Sequence, residues 1–566
     1  MEPSRVPLAL GGGTLEPAEV ARFAERLSER RFVLDERAAR RIDASAALLG
    51  RLVDEGRPLY GVTTGFGDSA RRVIPKDQAE ALQRAVLSFH LVGVGPPAPA
   101  EVVRAAMVIR ANCLAQGSSG VRRSLIELLL ACVAEDLLPI VPQRGSVGAS
   151  GDLTPLSYLA AMLAGRGEVT VRGQRGPADD ALREHGLRPW EPRPKEALAI
   201  VNGTSFSSAY AVIALERAAR LSVVAELCTA VACEALRADR GPYDPVIHEH
   251  KPHPGQQASA AGLTALLAGP GLTRDHPFPL AGEPRVTGDR VRDLGSPIQE
   301  PYSLRCAPQV IGVLRDTLTW VRRWISVEIN SVDDNPLADP DTEAVYSGGN
   351  FYAGHIGQAM DALKIAVANI GDLLDRQLQL LVDEKYNRGL TPNLHPHHEG
   401  DDPGAGVRFG FKAAQITCSA LTAEALRSAA PATVFSRSTE CHNQDKVSMA
   451  PIAARDAYAV VDLVEHVAAT QLLAGCQAID LRGPDRAANA VRRAHRVVRA
   501  RVPALSDDRR MDTDIAAVVG LLRTGALDFT RPFPDTGFLR TDNDDADRTT
   551  SWPDLRSRNS HHDHEG

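Results

Sequence analysis

Aromatic residues make up only 5% of this 566-residue chain, and strand-like alternation of apolar and polar residues is scarce. A fold dominated by β-sheet is therefore not expected. Long apolar runs are also missing. The richest, 125–133 and 209–215, fall well short of the roughly 18 to 20 residues that a membrane span needs. No basic excess exists: 64 Lys and Arg against 71 Asp and Glu give a net charge of −7. That balance argues against a general binder of nucleic acid or of membrane surfaces. The eight cysteines are scattered without a C-x-x-C pair, and Cys228 and Cys233 read as core thiols on a helix. The opening residues, Met1-Glu2-Pro3-Ser4-Arg5, lack the basic and apolar segments of a secretory signal. A reducing cytoplasm is the expected location.

Helical periodicity is abundant. Apolar residues recur at helical spacing over 205–237, 308–332, 354–386, 410–429 and 450–481. A helix of about 33 residues would be roughly 50 Å long, which suits a bundle. Stretches such as Tyr210-Ala211-Val212-Ile213-Ala214-Leu215 are apolar around much of the circumference. Such helices need neighbours on several sides, so a homo-oligomer is predicted. Residues 1–195 have shorter helical patterns with more Gly and Pro, and 188–195 reads as a connector into a long-helix region over 196–530. Residues 531–566 turn polar and are expected to be disordered.

The most informative segment is Gly145-Ser146-Val147-Gly148-Ala149-Ser150-Gly151-Asp152. It lacks the Gly-Lys-Ser/Thr of a P-loop, and its glycine spacing is not that of a dinucleotide fingerprint. Nor is it the G-x-S-x-G elbow of a hydrolase. Ala149-Ser150-Gly151 are three small residues in a row, able to sit in a tight loop with the Gly amide bent back on the Ala carbonyl. Residue 151 must then be Gly, because a Cβ would block the approach. Dehydration would leave a five-membered ring with an exocyclic methylene, a strong electrophile that no unmodified side chain supplies.

Further motifs lie along the chain: residues 60–67 (Tyr-Gly-Val-Thr-Thr-Gly-Phe-Gly), 201–204 (Val-Asn-Gly-Thr), 299–306 (Gln-Glu-Pro-Tyr-Ser-Leu-Arg-Cys), 348–351 (Gly-Gly-Asn-Phe) and 442–445 (His-Asn-Gln-Asp). With the Ala-Ser-Gly tripeptide they make six in register, and over residues 10–525 the chain resembles the aromatic amino-acid lyases. These are the histidine, phenylalanine and tyrosine ammonia-lyases and the 2,3-aminomutases. The resemblance implies a mainly α fold: a tetrameric long-helix bundle of the histidine ammonia-lyase/fumarase-like type with a smaller N-terminal domain. It further implies that Ala149, Ser150 and Gly151 form the 4-methylideneimidazole-5-one (MIO) group, with no external cofactor and no metal.

On the same grounds Tyr60 would be the base that removes the β-proton, within a lid hinged at Gly61, Gly65 and Gly67. Tyr302 would be a second essential phenol, one helical turn before Arg305. Arg305 would grip the substrate carboxylate through two parallel hydrogen bonds. Asn202 would hold both substrate and electrophile, although its place before a long helix also suits an N-cap. Gln299 and Phe351 would complete the lining. The electrophile accepts the substrate amine and makes it a better leaving group.

Selectivity in the family is read largely at the pair Phe89-His90. Phenylalanine-selective members resemble Phe-Leu there, tyrosine lyases His-Leu or His-Gln, and histidine lyases Ser-His; Phe-His departs from all three. Gln444, Lys412 and Glu440 look like the aryl-type members, since histidine lyases carry Glu and Met at the first two positions. His90 reads as a donor for a phenolic hydroxyl, so tyrosine is the expected substrate and phenylalanine the next. Lyase and aminomutase share one site and differ in lid tightness, with histidine deamination as a further alternative. The fumarase and aspartase loop pattern is absent, as 295–297 (Gly-Ser-Pro) is followed by Ile-Gln-Glu. A non-catalytic helical scaffold would be indifferent to loss of Ser150. A zinc site from His395, His397, His398, His561, His562 and His564 lacks the H-E-x-x-H spacing.

Overall fold

The computed structural model describes residues 7–26, 31–275, 291, 298–396 and 405–529. The expected tail over 531–566, the loop at 295–297, and His397, His398, His561, His562 and His564 lie outside the described residues. Strands pair only in small pieces. The pair that bears on the site is antiparallel, Val94–Pro97 with Pro142–Arg144. It ties the segment after Phe89-His90 to the strand that leads into Ala149-Ser150-Gly151.

The helices around the site are α1 (Ala79–Phe89), α2 (Ala100–Ala115), α3 (Leu153–Leu163), α4 (Glu196–Val201), α5 (Ser205–Ala235), α6 (Tyr302–Arg305), α7 (Ala307–Glu328), α8 (Gly354–Val382), α9 (Lys412–Ser428) and α10 (Ala450–Arg482). The five long helices read from the apolar spacing are α5, α7, α8, α9 and α10, with ends within a few residues of the expected ones. α5 is buried along nearly its whole length and on every side, so its sequence could afford no polar stripe. Its charged residues are met by partners: Arg315 pairs with Glu226 at 2.7 Å, and Arg217 with Glu25 at 2.8 Å. Removing one member of such a buried pair costs about 3 to 5 kcal/mol. Cys228 and Cys233 are buried on this helix, as expected.

α10 is long and apolar enough to cross a membrane by length and composition alone. Its apolar window is 78% buried within the bundle, chiefly against α5 and α8, which makes it a core helix. Among the described residues a large apolar core runs from Leu10 to Leu527, and Leu49, Val53, Leu59 and Val62 form a smaller one just before and within the Tyr60 loop.

Candidate active site

Ala149-Ser150-Gly151 sits in the turn just before α3. Gly151 has φ +70° and forms a parallel bridge with Gly203. A Cβ on Gly151 would overlap the Gly203 carbonyl, and one on Gly203 would overlap the Arg110 guanidinium. Both positions therefore demand glycine, as the sequence suggested for the first of them. The Asp152 N–H donates to the Gly203 carbonyl at 2.7 Å. Asn202 Nδ2 donates to the Ser150 carbonyl at 2.8 Å, and Gln444 Nε2 to Ser150 Oγ at 3.2 Å. Behind the loop, Ser448 and Met449 donate their backbone N–H groups to Gly148 and Val147. The N-terminal ends of α3, α5 and α10 thus converge on the tripeptide and surround it with positive potential.

Asn202 is not an N-cap. It follows α4 as that helix's C-cap, α5 starts after Thr204, and the Asn202 amide is committed to the Ser150 carbonyl. Tyr60 reaches the same end of the molecule: its phenol oxygen accepts from the Gly67 N–H at 3.0 Å. Glu440 accepts from the Asp68 N–H at 3.1 Å and fills the space beside Gly67. Glu440 therefore braces the Tyr60 loop. Gln83 donates to the Gly61 carbonyl and accepts from the Leu198 N–H, docking the loop between α1 and α4. Gly61 is crowded by Phe66 and Leu198, Gly65 by Ser69, and Gly67 by Glu440. Close packing at all three, and a left-handed φ at Gly61 and Gly67, are reasons this structure shows for glycine at these positions.

Phe89 ends α1, more than half exposed, and its ring lies 3.9 Å from that of His90. His90 Nδ1 faces the Val86 carbonyl at 3.4 Å. With Nδ1 spent there as the donor, Nε2 is left as an acceptor in the neutral ring, which reverses the expected role. Burial lowers the His90 pKa and favours that neutral form. The following Gly93 packs on Gly145. Phe351 lies in the turn before α8, next to Tyr352, whose hydroxyl donates to the Val447 carbonyl.

Gln299, Tyr302 and Arg305 are elsewhere. They stand at the opposite end of α5, where the Asp239 N–H donates to Glu300 at 2.9 Å and Arg305 Nε to the Glu300 carbonyl at 3.2 Å. A cavity of about 660 Å³ opens there, lined by Asp239, Asp244, Gln299, Glu300, Arg305 and Cys306. The Arg305 guanidinium lies 4.8 Å from the Tyr302 ring centre, so the helical-turn reading of this pair holds, but Tyr302 is 72% exposed. Lys412 opens α9 beside the Phe409 ring. The preceding Phe411 donates its N–H to the Asn393 carbonyl, and the next carbonyl, of Leu394, accepts from Gln477 far along α10. α5 has 31 residues, which at 1.5 Å each span about 46 Å. One chain therefore does not bring Arg305 to Ser150; the helix between them holds them apart.

Residues that the sequence reading passed over stand behind the tripeptide. Asp152 is fully buried and accepts from the Ser207 N–H at 2.7 Å and from its hydroxyl at 2.5 Å. Burial pushes its pKa up to about 6. A folded-state pKa above the unfolded one gives stability that is complete below about pH 4 and lost as pH rises through about 6. Asp152→Asn removes this dependence. Between pH 4 and 7 the wild type is expected to lose about 3 kcal/mol relative to the variant, read as converging or crossing thermal midpoints. A constant difference would contradict it. Asp152 directly after the tripeptide, and Arg110 amid the apolar residues of α2, were the signals available.

The chain matches the family model for aromatic amino acid lyases over residues 15–500. It is 40% identical over 528 residues to a histidine ammonia-lyase of Anaeromyxobacter sp. (strain K), covering 92% of this chain and 99% of the relative. The tyrosine aminomutase of Streptomyces globisporus superposes with a TM-score of 0.86 at 34% identity, covering 92% of this chain and 98% of that one. The histidine ammonia-lyase of Trypanosoma cruzi gives 0.82 at 33%, covering 94% and 96%. With a mainly helical fold and this match along nearly its full length, the chain belongs to the aromatic amino acid lyase family.

Proposed function

We propose that this protein is an ammonia-lyase that eliminates ammonia from L-tyrosine, and from L-phenylalanine as a second substrate, using an MIO group formed from Ala149, Ser150 and Gly151. One observation carries the reading: Gly151, in a left-handed conformation, is wedged against Gly203 where no side chain fits, while Asn202 holds the Ser150 carbonyl. These residues fit the group. Asn202 and the converging helix ends would hold it, and it would supply an electrophile for the substrate amine.

This chain's residues do the rest. Tyr60, set by the Gly67 N–H, takes the β-proton. Arg305 binds the carboxylate and Tyr302 stands beside it, both from another copy of the chain in a homotetramer. Exposed apolar Val313, Val327, Ile365 and Ile416 on α7, α8 and α9 supply surface for that assembly. His90 Nε2 accepts the phenolic O–H of tyrosine, a partner that phenylalanine cannot use. Gln444, where a histidine lyase would carry Glu, removes the anion that an imidazolium would want. The eight free thiols suit a reducing cytoplasm.

Incubation with L-tyrosine, L-phenylalanine and L-histidine separately tests this. Near-UV absorbance should show p-coumarate first and cinnamate more weakly. Urocanate as the main product would overturn the substrate. The similarity to tyrosine aminomutase supports a second reading on the same site, in which ammonia returns to Cβ. A β-tyrosine signal by NMR would favour it.

A further inference from the structure

Outside the residues so far assigned, a buried electrostatic frame stands behind the tripeptide. Arg110 is fully buried on α2. Its Nη1 donates to the Asn202 carbonyl at 2.9 Å, and its Nη2 to Asp333 Oδ1 at 2.8 Å. The second oxygen of Asp333 accepts from both the N–H and the hydroxyl of Thr204, each at 2.8 Å. The next residue, Asp334, pairs with buried Lys195 and accepts from Ser119 at 2.8 Å. Lys195 immediately precedes α4, and Asn202 to Thr204 immediately follow it. The two consecutive acids therefore pin both ends of the short helix that delivers Asn202 and Gly203 to the tripeptide.

We propose that Arg110 and Asp333 are positioning residues for the backbone cyclisation, holding Gly203 as the stop against which Gly151 bends toward Ala149. The inference rests on the MIO reading above. In the cyclisation the Gly151 nitrogen bonds to the Ala149 carbonyl carbon, and that carbonyl oxygen leaves as water with the amide protons of Gly151 and Ser150. Ser150 loses its Cα proton and Oγ as a second water. No oxidant or external reactant is needed. The chain's difficulty is geometric, because an extended tripeptide keeps these atoms apart, and small displacements of reacting groups cost large factors in rate.

The frame explains why Gly203 must lack a side chain. The Arg110 guanidinium occupies the place of its Cβ, so the cation presses directly on the peptide that presses on Gly151. A charge this deep is tolerable only with its carboxylate partner, and that pairing also prevents the guanidinium from moving.

The test follows intact mass with time after synthesis of the full chain in a cell-free system, for wild type, Arg110→Lys, Asp333→Asn, Thr204→Val and Thr204→Ser. The expected result is a wild-type chain lighter by two waters. Arg110→Lys and Asp333→Asn should lose the waters at least about tenfold more slowly, with unchanged helical circular dichroism. Thr204→Val keeps the ion pair and removes one hydroxyl contact, so it remains folded if the charge variants do not. It too should be slowed, and Thr204→Ser should restore the rate. Wild-type rates in folded Arg110→Lys or Asp333→Asn, or in Thr204→Val, would overturn the proposal. A wild-type chain that never loses water would instead remove the MIO reading itself.

Discussion

Replacing Ser150 with Ala is expected to lower kcat by at least about a thousandfold, equivalent to about 4 kcal/mol of transition-state stabilisation. The alanine removes the Oγ whose departure creates the methylene, so the electrophile never forms. Stability should hardly change. The Ser150 hydroxyl takes one side-chain bond, 3.2 Å from Gln444 Nε2, in a half-buried setting, and such a bond is worth about 1 kcal/mol or less. Progress curves on L-tyrosine, with thermal melts on the same sample, separate the two effects. A folded Ser150→Ala variant that keeps even a tenth of its activity would sink the proposed chemistry, and a non-catalytic scaffold would show no change of any kind.

The second large effect concerns the distance between the two clusters. Ser150 and Arg305 stand at opposite ends of α5, about 46 Å apart by its 31 residues. Arg305→Ala should therefore be nearly inactive, as should Ser150→Ala, yet a mixed assembly of the two should work. A site that takes its electrophile from one copy and its carboxylate clamp from another is intact in about a quarter of random pairings. Co-expression with two different tags, followed by sequential purification, isolates the hybrids. Recovery of about a quarter of wild-type activity is the expected result. Hybrids no more active than the parents would mean that each chain completes its own site.

Most of the scaffold could be read in advance. The spacing of apolar residues located α5, α7, α8, α9 and α10 because helices buried in a bundle repeat that spacing over many turns. The motif residues were also legible, but their mutual distances were not. Arg305 and Ser150 belong to motifs that sit side by side in a list, and only the length of α5 reveals how far apart one chain holds them. Asn202 shows a different limit. Its position before a long helix fits a cap, and the short helix that ends at Asn202 and the bond to the Ser150 carbonyl, which decide otherwise, leave no periodic trace. Gly61, Gly65 and Gly67 read as lid glycines, and the close neighbours that surround each of them leave no trace in the sequence. Arg110 and Asp333 were passed over for a related reason: a charge among apolar helix residues acquires meaning only when its partner, 223 residues away, is seen beside it.

The shaft formed by α5 has one more consequence. Inserting a single residue would lengthen it by about 1.5 Å and turn everything beyond it by about 100°. Glu226 would swing off Arg315, and the Arg305 cluster would turn relative to the Ser150 end. The helix therefore works as a ruler of fixed length. Under the proposed function, exchanges at Phe89, His90 or Gln444 near one tip would change the preferred ring without touching this helix, which itself cannot grow or shrink by one residue without losing its alignment.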